Sequence, residues 1–196
     1  AFKAIVWLQQ SLAMNDIDAG HYDEAISKLR DARSAAEHTD PLDPRALTLR
    51  GFVAKSMAQV AEAMKDRASA KKHYAEAARL FEHVSKLDPT NESAQNGLGN
   101  VQYGLGNLDA AIAAYNRAIE LQPSYGYAHH DLAIAYEKKM EEDRDHASMW
   151  CKKALAAWRK AIESIPREDP IISVDYVNRK IIPRIRWLEQ QCGQDG

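Results

Sequence analysis

The residues with most chemical potential in this sequence are a doubled GLGN at 97–100 and 104–107, the adjacent His129 and His130, the pair Cys151 and Cys192, and a scatter of carboxylates. GLGN could cradle a phosphate, but a dinucleotide fingerprint needs a strand ahead of it and a third glycine at the proper offset. Helical spacing precedes the first copy and Gln102 holds the third-glycine position, so close helix packing at Gly99 and a turn at Gly106 account for the motif. Two neighbouring histidines on a helix point about 100° apart and cannot chelate one metal together. No HExxH, CxxC, GxSxG or phosphate-binding loop occurs, and nothing singles out two carboxylates held together in a shielded pocket. No catalytic residue, metal site or cofactor is expected, and the chain is read as non-enzymatic. Cys151 and Cys192 fall in different helical segments without metal-ligand spacing; they are expected to be reduced, partly buried thiols, which fits a reducing compartment.

The elements around these residues are helices. Alanine dominates, nine glycines and seven prolines interrupt it, and no alternating run of β-branched residues suggests a strand, so the fold class is all-α. The 26 basic and 28 acidic residues are spread through both halves and leave a formal charge of -2, which gives no attraction for nucleic acid or anionic lipid. No apolar run approaches the roughly 20 residues that membrane insertion needs, and no signal peptide is visible. A cytoplasmic location is expected, and the opening Ala1 in place of Met suggests a trimmed amino end.

Glu92 to Pro123 carries the clearest pattern. Leu98 and Gly99 lie on a first helical run and Ala111, Tyr115 and Ala118 on a second, with Gly106 between them and Pro123 as the stop. This pattern resembles the tetratricopeptide repeat (TPR), an antiparallel helical hairpin of about 34 residues. Gln95 and Gln102 stand where that family usually has Trp and Tyr. A hairpin of this kind cannot bury its apolar face alone and requires neighbours.

The same offsets recur at Ala25, Leu29 and Ala32, with Gly20 in the place of Gly106, and less closely in two longer hairpins. The units fall at about 2–38, 44–89, 91–123 and 125–166, within one domain spanning 1–196. Asp43, Thr90 or Asn91, Ser124 and Ser173 are the expected caps. Asp66-Arg67 and Asp143-Arg144 each stand 23 residues before a closing proline, so units two and four share an elongated plan. In unit four the surplus, divided between both helices, extends a charged tip by roughly 6–8 Å. From Val174 to Cys192 a one-sided apolar stripe predicts a capping helix at about 173–192, broken near 179–182 by Pro183. Its Arg179, Lys180, Arg184 and Arg186 read either as a solvated outer face or as a contact for an acidic partner.

The resemblance implies a right-handed superhelical solenoid whose concave groove is lined by the first helix of each pair. Carried across, the groove positions are Arg50, Ala54 and Met57 in unit two, Asn96, Asn100 and Tyr103 in unit three, and Tyr127, His130, Asp131, Ile134 and Glu137 in unit four. In unit one they are Trp7, Gln10, Met14 and Ile17. His129 falls where the family buries an aromatic. Asn96 and Asn100, one turn apart, could bracket the backbone of an extended peptide. The function implied is a scaffold or adaptor that binds a protein or peptide ligand in its groove, with self-association left open. A regulatory or sensor domain of a larger enzyme or signalling protein is the alternative. RNA binding is disfavoured by Asp131 and Glu137.

Overall fold

The computed structural model describes residues 12–13, 15–37, 40, 42–166 and 174–192. Among these every regular element is helical: α1 (Tyr22–Glu37), α2 (Pro44–Ala63), α3 (Arg67–Leu87), α4 (Glu92–Gly104), α5 (Leu108–Leu121), α6 (Gly126–Glu142) and α7 (Ala147–Ser164). A turn of 3-10 helix, Arg144–His146, joins α6 to α7. A last stretch runs through Val174–Tyr176, a π-helical Val177–Ile181 and α8 (Ile182–Cys192). The π-helical turn falls at the break expected before Pro183, where the ring removes a backbone donor.

Local chemistry sets the boundaries. Asp43 accepts from Arg45 N at 3.0 Å and Asn91 from Ala94 N at 2.9 Å, each meeting an amide that the first helical turn leaves open. Asp66 does the same for α3 through Ser69 N at 3.0 Å. Gly20 and Gly106 turn the chain at φ +79° and +81°, the left-handed conformation that glycine adopts without steric cost. Ser124 does not cap α6: the helix starts one residue later, behind Tyr125, with no side-chain cap. Ser173 and the groove positions Trp7, Gln10 and Met14 lie outside the described residues. α6 and α7 hold 17 and 18 residues against 13 and 14 in α4 and α5, so unit four lengthens in both arms of its hairpin.

Each helix packs on its sequence neighbours, while α2 also touches α4 and α4 touches α6. The first helices of successive hairpins therefore lie side by side, and the second helices stack behind them. Three buried clusters run along this stack: around Leu29 and Val53, around Phe81 and Val101, and around Tyr115 and Trp158. A linear series of cores is what a solenoid builds, because each unit can bury its apolar face only against the next.

Aromatic rings enter the gaps that glycines leave. A Cβ on Gly99 would lie 2.4 Å from Tyr115, and one on Gly97 would lie 2.3 Å from Phe81. Gly51 also faces Phe81, at 2.7 Å. That ring, fully buried and edge-on to Phe52 at 5.0 Å, links units two and three.

Cys151 and Cys192 are not free thiols; they form a disulfide with Cα atoms 5.7 Å apart. Spacing along the chain could not reveal this, because their 41-residue separation closes only when α8 folds back onto α7. The pairing removes the argument for a reducing compartment.

Candidate functional site

The row of first helices carries a polar network on α4 and α6. Asn96 Nδ2 donates to Asp131 Oδ2 at 3.0 Å, and His130 Nδ1 faces Asp131 Oδ1 at 2.9 Å. Burial pushes the Asp131 carboxyl up, but the His130 hydrogen bond and charge, the Asn96 amide and the Lys55 ammonium outweigh it and hold the group below the usual carboxylate range. Lys55, on α2, is half-buried, and burial lowers its pKa against the opposing pull of Asp131. Asn96 itself is 2% exposed, and its Oδ1 has no hydrogen-bond partner among the described residues. A buried acceptor in this condition costs free energy until a donor reaches it.

Asn100, one turn on, is differently placed. It accepts from Tyr115 OH at 3.0 Å, and burial raises the pKa of that phenol, which keeps it a donor. The two asparagines are thus unequal: Asn100 already holds a partner that ties α4 to α5, and Asn96 keeps a buried Oδ1 with no partner among the described residues. Tyr103 is half-buried beside them, with its phenol pKa raised by burial.

Arg50 and Met57 do not join this network. With Val53 and Ala54 they line a small depression bounded by Arg33 of α1 and Glu76 of α3, which are paired at 3.0 Å. Lys55 is the α2 residue whose charge acts on Asp131, while its Nζ donates to Gln59 Oε1 at 3.0 Å, and carrying family positions across did not select it. The available signal was Gly51: it meets Phe81 as Gly99 meets Tyr115, and matching the two glycines gives Lys55 the register position in unit two that Tyr103 holds in unit three.

In unit four, the last helical stretch, whose α8 packs on α7, meets two of the expected groove residues, His130 and Glu137. His130 Nε2 lies 3.3 Å from Tyr176 OH, and the His130 ring meets Trp158 edge-on at 5.0 Å. Glu137 is 8% exposed; Trp158 Nε1 donates to it at 2.5 Å and Arg184 forms a short ion pair with it. Arg184 also lies over the Trp187 ring at 4.3 Å, so it is not simply part of a solvated outer face. Its acidic partner belongs to its own chain. Tyr127 and Ile134 are half-buried on the same helix, and Tyr127 meets Tyr125 edge-on at 5.5 Å.

The carboxylate, imidazole and phenol of Asp131, His130 and Tyr176 stand in line like a proton relay. Burial, helped by Asp131 and Asp18, raises the Tyr176 pKa, so the phenol stays protonated and acts as a donor, not a nucleophile. The adjacent His129 is 8% exposed and its Nε2 donates to Pro123 O at 2.9 Å, a satisfied boundary histidine. Among the described residues, no three His, Cys, Asp or Glu side chains gather as metal ligands would. Nor, among them, is any helix long and apolar enough to cross a membrane.

Stacked helical hairpins with a row of first helices along one face define a helical-repeat solenoid. The family model of the tetratricopeptide repeat matches residues 93–125, the third of these hairpins, and that repeat fold generally supports protein–protein interaction. Similar solved structures include MamA, 25% identical with 81% of each chain covered and a TM-score of 0.43. A thermophilic TPR protein of Thermus thermophilus is 18% identical, covering 94% of this chain and 99% of that one, with a TM-score of 0.49. A putative protein binding protein from Bacteroides ovatus is 16% identical, covering 96% and 100%, with a TM-score of 0.44. No curated protein matches the chain.

Proposed function

We propose that this chain is an interaction module that receives a peptide or helical segment of a protein partner along α2, α4 and α6, and performs no chemistry on it. The observation that carries the reading is Asn96. Its Nδ2 is fixed by Asp131 and its buried Oδ1 has no hydrogen-bond partner among the described residues, so an N–H from an incoming chain meets this acceptor once the packing around it opens. Lys55 on α2 and Tyr103 on α4, both half-buried, add a cation and an aromatic face to the same row of first helices. This mixture suits a neutral or weakly charged segment better than a strongly acidic tail, because Asp131 and Glu137 stand on α6 where further cations would be needed.

Peptides selected from a library on the full-length chain would be measured by fluorescence anisotropy against the native protein, Asn96→Ala and Lys55→Glu. The expected result is at least a tenfold loss of affinity in each variant, equal to losing one buried hydrogen bond or charge contact. Unchanged affinities in variants with native circular dichroism would remove the assignment.

A further inference from the structure

The last helical stretch does more than close the stack. Its Tyr176 hydroxyl meets His130, its Arg184 meets Glu137, and both targets are positions that the repeat pattern assigns to partner binding. Arg159 and Glu189 pair at 2.7 Å across the outer side. The only covalent link between this stretch and α7, among the described residues, is Cys151–Cys192.

We propose that residues 174–192 are a strap, latched by the Cys151–Cys192 disulfide, that occupies the unit-four end of the groove in place of a partner helix, and that reduction opens this end. The strap displays the chemistry of the helix it excludes: a hydroxyl-bearing aromatic for His130 and, eight residues later, an arginine for Glu137. The inference rests on the groove reading above.

Opening needs a dithiol reductant. Its thiolate attacks the sulfur of Cys192, the more exposed residue of the pair; the S–S bond breaks and its electron pair leaves on Cys151, which is protonated. The second reductant thiol then displaces Cys192 as a thiol, and the reductant departs as its own disulfide. Two electrons and two protons pass to the pair, and nothing else is consumed. What then holds the strap is its apolar face, with Ile181 and Leu188 buried in the unit-four core, together with partly exposed ion pairs and hydrogen bonds that are individually weak; reduction removes the one covalent constraint that keeps this face docked.

Hydrogen exchange on the partner-free full chain tests the latch, oxidised and then reduced with dithiothreitol. Exchange in 174–192 is expected to rise at least tenfold on reduction while α2 to α5 stay protected, and Cys192→Ser should match the reduced protein without any reductant. Equal exchange in both states overturns the latch and leaves the groove reading untouched, because no partner is in the assay. Loss of helical circular dichroism on reduction overturns it too, making the disulfide a staple of the whole fold. A labelled peptide of residues 174–192 carrying Cys192→Ser provides the binding arm. At least tenfold tighter binding to the reduced chain, lost in Glu137→Ala, supports the proposal. Equal binding to both states overturns it.

Discussion

Replacing Gly97 by alanine tests how the units are held in register. An added Cβ would lie 2.3, 2.4 and 2.6 Å from three carbons of the Phe81 ring, far inside van der Waals contact. The ring has little room to yield: it is fully buried between α2 and α4, and the Cβ position of Gly51 is 2.7 Å from it as well. Overpacking of a close-packed core costs about 1–3 kcal/mol. The gain in helix propensity from glycine to alanine returns about 1 kcal/mol. Three ring carbons clash at once, so the cost falls in the upper part of that range, about 2–3 kcal/mol, and the net expectation is a destabilisation of about 1–2 kcal/mol, which for a chain of this size lowers Tm by about 2–8 °C.

Thermal unfolding followed by far-ultraviolet circular dichroism measures this directly, and a double-mutant cycle assigns its cause. Combining Gly97→Ala with Phe81→Leu should recover part of the loss as a favourable coupling of about 1 kcal/mol, because the smaller side chain makes room for the methyl group. Additive losses, or a Gly97→Ala protein as stable as the native one, would refute the interlock. The site is coupled to the same contact. Asn96 precedes Gly97, so a shift of α4 away from Phe81 also changes the Asn96–Asp131 hydrogen bond.

Acid should act through Asp131, whose folded pKa lies below its ordinary value. Its stabilisation is fully present above the unfolded pKa of about 3.9 and is lost as pH falls through the depressed folded value, since the unfolded chain binds the proton first. Urea unfolding between pH 2 and 6 should therefore show a shallower acid limb in Asp131→Asn than in the native protein; identical slopes would exclude this role. At Glu137, the Gln variant keeps an acceptor for Trp158 but loses the charge for Arg184, a side chain 38% exposed, so the loss should stay below about 1 kcal/mol. Glu137→Ala also strands the buried indole N–H and should cost about 1–3 kcal/mol more, read as a difference in urea midpoint. Tyr115→Phe removes the donor to Asn100 and should cost about 1 kcal/mol in the same assay.

The fold was legible in the sequence because its determinants are local. Gly106 at a left-handed turn, Asp43 and Asn91 at helix starts, and Ala111, Tyr115 and Ala118 on one face each act within one or two helical turns. The site was legible only where it inherits that locality. Asn96, Asn100 and Asp131 could be placed on the row of first helices, but which asparagine is already engaged depends on Tyr115, a residue from the facing helix. In unit two the longer helices hid the register, and Lys55 emerges only when Gly51 is matched to Gly99 through the rings that face them.

The largest difference lies at the carboxy end, and it has one physical source. An amphipathic stripe specifies that α8 needs an apolar surface, and buried Ile181 and Leu188 show that it has one, but a stripe does not say which surface. That choice comes from specific polar contacts at long separation: Arg184 with Glu137, Tyr176 with His130, and Cys192 with Cys151. Each connects two residues that look ordinary in their own segments. Arg184 of the last helix and Glu137 of unit four are therefore two halves of one contact, made within the chain itself.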